Sequence, residues 1–553
     1  AQTLLGISGF THNVASGEPG PDSVLLWTRY VNPTGGPSKV RVEISESQDF
    51  LKIAGGGQMV TGPWRDHTVK ITVDNLAPGK WHWFRFIAPD GSISPVGRTK
   101  TLPVGKTSNF NIAIFSCSNL GFGEFNAYGH AAARNDIDLV LHMGDYIYEY
   151  GADGYATEDA AKLGRTLPAD NNKEIIKLDD YRKRYALYRK DKDLQALHHR
   201  HPFIVIWDDH ELANDTWREG ADNHQANEGS FLDRKLAALQ AYFEWMPIRP
   251  IDDQHVKIYR QFDFGNLVQL TMLDTRIIAR DKQLDYADYM TANGLNAAKF
   301  QADLTNPART LMGYTQRDWL LGKLQQSNAT WNVLGQQILM AKMLIPTELL
   351  LSLAAIVSGN PSAEALSQMN AQITELVKLK IRLQQGDPTL TPQEKARVQT
   401  VAPYNLDAWD GYFVEREILY GTLAQLNKKV VVLAGDTHNA WSSNLYSKDG
   451  AFVGVELATS SISSPGLEKY LSIPLAQLQQ FEFAFTTLID ELNYCNLNQR
   501  GYLIVQFDET QVQSQWIYVD SIKKAEYVVD TARQYQLSFD KNLLPVKTAQ
   551  QVA

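Results

Sequence analysis

"FNIAIFSCSNLGFG" (Phe110 to Gly123) carries an apolar run into a polar, glycine-studded segment and sets a cysteine at the change. The same plan recurs in "IDLVLHMGDYIYEYG" (137–151), "PFIVIWDDHELAND" (202–215), "LVQLTMLDTRIIAR" (267–280), "TWNVLGQQI" (330–338) and "KKVVVLAGDTHNAW" (428–441). Helical patterns lie between several of these strands, for example "EFNAYGHAAARND" and "LDDYRKRYALYRKD". Continuous apolar strands alternating with helices indicate an α/β fold with a parallel or mixed buried sheet. Ligands in such sheets bind beyond the carboxyl ends of the strands. This chain sets Cys117, Asp145, Asp208, Asp209, His210, Asp274, Asp436 and His438 there. Cys117 is then either a core thiol or a metal-binding thiolate.

Residues 1 to about 105 read differently. "DSVLLWTRYV", "KVRVEISESQDF", "HTVKITVDNL" and "KWHWFRFIAP" alternate apolar and polar residues and are separated by turn clusters such as "NPTGGPSK" and "PDGS". Short alternating strands with regular turns predict a β-sandwich of the fibronectin or immunoglobulin type, and "TKTLPVGKTS" reads as the linker out of it. The expected division is a sandwich at 1–105, a catalytic domain at 106–540 and a tail at 541–553. Residues 346 to 400 read as a helical insertion within the catalytic domain, rich in helix formers with Gly and Pro breaks. It is a lid, a dimer contact or plain helical cover.

Composition excludes some classes. The 553 residues are 44% hydrophobic and carry a formal net charge of -9. With no basic stripe there is no electrostatic case for nucleic acid. Two cysteines build neither a disulfide framework nor a paired zinc motif. The longest apolar stretch, "LLLSLAAIV", is far short of the roughly 18 residues of a spanning helix. A first residue pair of Ala1 and Gln2 suits a product of signal-peptide cleavage.

In "HMGDYIYEYG", Gly144 lets the backbone turn, and the two oxygens of Asp145 are able to bridge two cations. Tyr148 follows three residues later, open to phenolate ligation or to aromatic packing. In "IWDDHELAND" two acids and a histidine end a buried strand, where unpaired charge is costly. Cations or a dense polar network must compensate them, a salt-bridged loop being the plain alternative. On an extended backbone Asp208 and Asp209 point to opposite sides, so one direct ligand is expected. His210 suits a phosphate contact or proton donation to a leaving group. Asp436 and His438, two residues apart, can face one site and serve two metals. No "GxSxG" elbow accompanies Ser116 or Ser118.

The motifs "FSCSN", "GDYIYEYG", "WDDHE", "LDTR" and "AGDTHNAW", in this order after a β-sandwich, resemble the PhoD-type alkaline phosphatases. These are related to the calcineurin-like metallophosphoesterases and purple acid phosphatases. The resemblance spans nearly the whole chain and implies a four-layer αββα metallophosphoesterase core. It implies a ferric ion held by Cys117, Asp145, Tyr148 and His438, with Asp145 bridging to one or two calcium ions. Asp436 and either Asp208 or Asp209 complete the calcium site, and Arg276 is a candidate phosphate contact that Asp274 orients, an ordinary ion pair between the two being the alternative. The implied activity is hydrolysis of phosphate monoesters and diesters, nucleotides or phospholipids among them, by attack of a metal-bound hydroxide or oxide. A phospholipase D-like phosphodiesterase is the alternative, and a non-catalytic metal-binding surface protein the reading from another class. The resemblance also implies export, to the periplasm or the exterior, by the twin-arginine route.

Overall fold

The structure is a computed structural model that describes residues 8–251, 256–357 and 361–546. Ala1 and Gln2, on which the leader reading rests, and the tail segment 547–553 lie outside the described residues.

Two mixed sheets form the centre. In the first, Asn109–Phe115, Leu139–His142 and Pro202–Val205 run parallel side by side, and Arg500–Asp508 pairs antiparallel with the outer flank of Asn109–Phe115. In the second, Val268–Met272, Trp331–Gly335, Val430–Ala434 and Phe452–Ala458 are parallel neighbours. One apolar core joins them: Ile112, Leu141, Val205 and Val505 of the first sheet belong with Leu270, Val333, Leu433 and Val455 of the second. The same core takes in Tyr181 and Tyr185 of the helix Leu178–Tyr188 and Leu239 of the helix Phe231–Trp245. On the other side, Val432 of the second sheet packs with Leu320 and Leu419, from the helices Tyr314–Gln326 and Phe413–Leu426. This is the expected layering of two sheets between helices. Apolar strands buried on both faces need that cover.

The N-terminal β-rich region is a sandwich. Its outer sheet pairs Gly55–Thr61, Ser38–Ser45, Trp81–Ile87 and Gly97–Lys100 in that order. Its inner layer, Gly9–Gly17, Val24–Val31 and Thr68–Val73, supplies Val14, Leu26 and Ile71 to a core shared with Val42 and Phe84. The inner layer is not a free-standing sheet. Gly9–Gly17 pairs parallel with Pro202–Val205, Ser16 opposite Pro202 and Gly17 opposite Phe203, so the first sheet runs unbroken through ten strands. Nothing in the local alternation of "GFTHNVASG" announces that long-range partner.

Between residues 346 and 400 the described residues form the helices Thr347–Val357, Ala363–Gln384 and Pro392–Gln399. The short strands Leu344–Pro346 and Val401–Pro403 pair antiparallel and close the excursion at its root. Leu353, Ile373 and Leu376 pack against Phe481 and Phe485. The 358–360 part of this segment lies outside the described residues. No helix among the described residues is long and apolar enough to cross a membrane.

Candidate metal centre

The loops leaving three parallel strands are stitched together beyond the sheet. Cys117 N–H donates to Gly144 O at 3.1 Å and Ser118 N–H to Asp145 O at 2.9 Å, continuing the strand ladder by two residues. Glu211 clamps the third loop: its carboxylate accepts from the backbone N–H groups of Asp145 (3.0 Å), Tyr146 (2.8 Å) and Asp208 (2.9 Å). Gly144 has φ +101°, and a Cβ there would sit 2.3 Å from Asp208 N. Cys117, Asp145, Asp436 and His438 all hold positive φ, between 54° and 67°. Such backbone costs of order 1–3 kcal/mol per residue and persists where surrounding structure over-determines it.

These turns bring ligand atoms together. Cys117, Asp145 and His438 form one group with potential ligand atoms within 4.8 Å of one another; Asp145, Asp209 and His210 form a second, and Asp145, Asp208, Asp209 and Asp436 a third. Asp145 is common to all three. Cys117 Sγ lies 3.4 Å from Asp145 Oδ2. His438 Nδ1–H donates to Pro465 O at 2.6 Å, which fixes the tautomer and leaves the Nε2 lone pair for the site. Tyr148 Oη is 3.4 Å from that Nε2 and donates to Ser464 Oγ at 2.6 Å, while Ser464 donates to Cys117 O. Tyr148 therefore adjoins the Cys117 group, with its ring stacked on His210.

Asp208 and Asp209 depart from the expected divergence. The strand ends at Val205, so period-two alternation no longer governs residues three and four positions later. Both carboxylates turn into the group around Asp145. Asp209 Oδ2 accepts from Asp215 N–H at 2.8 Å, and Asp208 Oδ1 accepts from Arg276 Nε. Asp208 Oδ2 and Asp209 Oδ1 are buried with no hydrogen-bond partner.

Arg276 is wholly buried among acids. Its guanidinium forks onto Asp407 at 2.7 and 2.6 Å, reaches Asp436 Oδ1 at 3.1 Å and lies 3.9 Å from Asp209. Asp274 meets Arg276 through the backbone and not as an ion pair with the guanidinium. Its carboxylate accepts the backbone N–H groups of Arg276, Ile277 and Ile278 and so shapes the turn.

Electrostatics follow from this crowding. Burial, then Cys117, Asp208 and Asp209, holds Asp145 well above the ordinary carboxylate range. Burial and Asp208 do the same to Asp436. Burial raises Asp208 to about 6 even with Arg276 beside it, and raises the Cys117 thiol far above its usual value. Against burial, Arg276 and His210 hold Asp209 below its ordinary value. Against burial, Asp209 and Glu149 push His210 up to about 10. His210 Nδ1 bonds Glu149 Oε2 at 2.7 Å, and its Nε2 faces Asp209 Oδ1 at 3.9 Å.

Orphaned carboxylate oxygens, raised acids and a convergent thiol, imidazole and phenol amount to a donor set short of positive charge. These residues fit bound cations. Sequence reading passed over Glu149, Glu211 and Asp407. Glu149 and Glu211 stand inside quoted motifs, where an acid beside tyrosines or after a histidine carried no distinct signal. Asp407 comes from the loop after the helical excursion, and only the fold brings it to Arg276.

The family model for the PhoD-like phosphatase matches residues 112–516, and that for the PhoD-like phosphatase, N-terminal domain, matches residues 3–103. The chain belongs to the PhoD-like phosphatase family. Alkaline phosphatase D of Bacillus subtilis (strain 168) is 35% identical in a 474-residue alignment that covers 83% of this chain and 70% of that protein. The solved structure of PhoD superposes with a TM-score of 0.76 at 28% identity, covering 98% of this chain and 93% of that one. Purple acid phosphatase PPD1 from yellow lupin seeds shares the fold, with a TM-score of 0.50 at 11% identity over 98% of this chain and 78% of its own. As a PhoD-like phosphatase the chain is a phosphoric ester hydrolase, as its strand-end motifs led one to expect, and its substrates are phosphate esters.

Proposed function

We propose that this PhoD-like phosphatase is an exported alkaline phosphatase acting on phosphate monoesters and diesters through a ferric and calcium centre. The observation that carries this reading is the buried acid group around Asp145, with unpartnered oxygens on Asp208 and Asp209. Cys117, Tyr148 and His438 would hold the ferric ion with Asp145, a hard trivalent ion suiting thiolate and phenolate donors. Asp145, Asp436 and one or both of Asp208 and Asp209 would hold calcium, as an all-oxygen set. Cations held by these residues would supply Lewis acidity and would acidify water at the site.

The chain's own residues do the rest. Arg276, fixed from three sides by carboxylates, places a permanent positive charge where phosphoryl oxygens gather negative charge. His210, steered by Glu149 at Nδ1, presents Nε2 to the site and is placed to give its proton to a departing oxygen. Residues 1–105 act as a positioning domain for the catalytic region from 106 to 540.

Purified protein is expected to contain iron and calcium and to show a visible thiolate- or phenolate-to-iron band. Cys117→Ser loses iron, colour and turnover together while keeping its fold. A colourless, fully active enzyme holding only zinc would overturn the ferric assignment.

A phospholipase D-like diesterase is favoured by one feature. A cavity of about 480 Å³ borders Asp407 and Asp215 and is lined by Asp222, Asp285, Asp288 and Tyr286 against one cation among the described residues, Lys282. The Lys282 ammonium lies 5.0 Å from the centre of the Trp217 ring, and the acidic excess suits a cationic head group. Parallel release assays with a monoester, a bis-ester and phosphatidylcholine separate the readings, choline release without monoester turnover favouring the second.

A further inference from the structure

We propose that a cleft between the N-terminal sandwich and the helix Phe231–Trp245 binds a small organic anion, a phosphate or phosphonate dianion on an aromatic or apolar body. The cleft has a volume of about 600 Å³, within the range of ligand sites, and none of the metal-centre residues lines it. Its wall holds Trp64, Arg65, Lys70, Phe243, Glu244 and Arg249. Among the described residues the lining thus sets three basic side chains against one acid, in a chain whose net charge is -9.

That acid is already spent. Glu244 accepts a two-pronged bond from Arg182, at 2.7 and 2.6 Å, and another from Gln240 at 2.9 Å. The same Arg182 donates to Trp64 O at 2.9 Å and so fixes the rim of the cleft. The cations are less well served. Arg65 Nε and Arg249 Nη2 are buried with no hydrogen-bond partner among the described residues, a desolvation cost that a bound acceptor removes. Lys70 donates to Phe243 O at 2.6 Å and to Ile248 O, leaving one of its three donors. Burial and the nearby Arg65 push its ammonium down to about 7, and the acids Glu18 and Glu244 offset this only in part.

The shape narrows the ligand further. Guanidinium pairs suit the several terminal oxygens of a tetrahedral dianion better than a single carboxylate. Trp64, 55% exposed, offers flat apolar surface beside the charges, more than a bare inorganic ion would use. This inference stands apart from the metal assignment.

Calorimetric titration with phenylphosphonate, whose carbon–phosphorus bond is not an ester, tests it. The protein is expected to bind two equivalents, one at the metal centre and one in the cleft. Arg65→Gln/Arg249→Gln should bind one, with kcat unchanged. Inorganic phosphate should fill the cleft at least tenfold more weakly than phenylphosphonate; equal affinity overturns the organic body. A single equivalent in both proteins overturns the site. Should the double variant unfold, Trp64→Ala is expected to weaken the second event about tenfold and leave the first intact. No change in that variant likewise refutes the cleft.

Discussion

Asp208, Asp209, Asp407 and Asp436 converge on the one guanidinium of Arg276, each within 3.9 Å. At an effective dielectric constant of 20 a pair at 4 Å is worth about 4 kcal/mol, so one arginine offsets much of the repulsion but not all of it. Removing one partner from a buried ionic cluster costs about 3–5 kcal/mol. Arg276→Gln is therefore expected to lower unfolding free energy by about that amount in urea titrations, and by more in chelator, where no cation shares the load. Equal losses with and without chelator would mean that Arg276 is the acids' whole counter-charge. Glu211 acts one step back, through three backbone N–H groups rather than through a ligand. Its replacement by glutamine should weaken metal retention about 10–100-fold, the usual cost of losing an outer partner, as read in a competition with a chelator.

Strands and their exits carry the site, and they are also what sequence reveals best. "NIAIF", "LVLH", "FIVI" and "VVVLA" are apolar on both faces because both faces are covered, so their existence and their polar ends were legible. What happens after the last strand residue was not. The positive φ values at Cys117, Asp145, Asp436 and His438 belong to turns whose closing hydrogen bonds come from distant residues, Ser463 N–H to Cys117 O among them. For the same reason the inward turn of both Asp208 and Asp209 escaped a rule built for extended chain. Gly144 is the exception, since a glycine after an apolar run marks a turn by itself. Gly144→Ala meets backbone atoms of Trp207 and Asp208 at 2.8 and 2.3 Å as well as an unfavourable φ. It should lose phosphatase activity and bound metal together; retention of both would mean that the two loops can part without harm.

At the scale of the whole molecule, His12 shows how the N-terminal strand is held to the catalytic helices. Its Nε2 donates to Ala186 O at 2.9 Å, and its pKa is lowered to about 3 by burial and Arg29. The unfolded chain takes up this proton near pH 6.5 while the folded chain refuses it, so folding is favoured above that value and loses ground as pH falls toward 3. Relative to His12→Gln, the wild type is expected to lose about 1.4 kcal/mol per pH unit in that window, measured by urea unfolding at pH 7.5 and 5.0. Parallel stability profiles for the two proteins would place the proton elsewhere. Because Gly9–Gly17 lies directly beside Pro202–Val205, the chain is no pair of cassettes to be exchanged at residue 105. A donor segment would have to set its own residues opposite Pro202 and Phe203. It would also have to spare a side chain at position 17, where a Cβ would come within 2.1 Å of Pro247 O. A graft that fails either demand leaves the strand feeding Asp208 and Asp209 as a raw edge, open to pairing with a stranger.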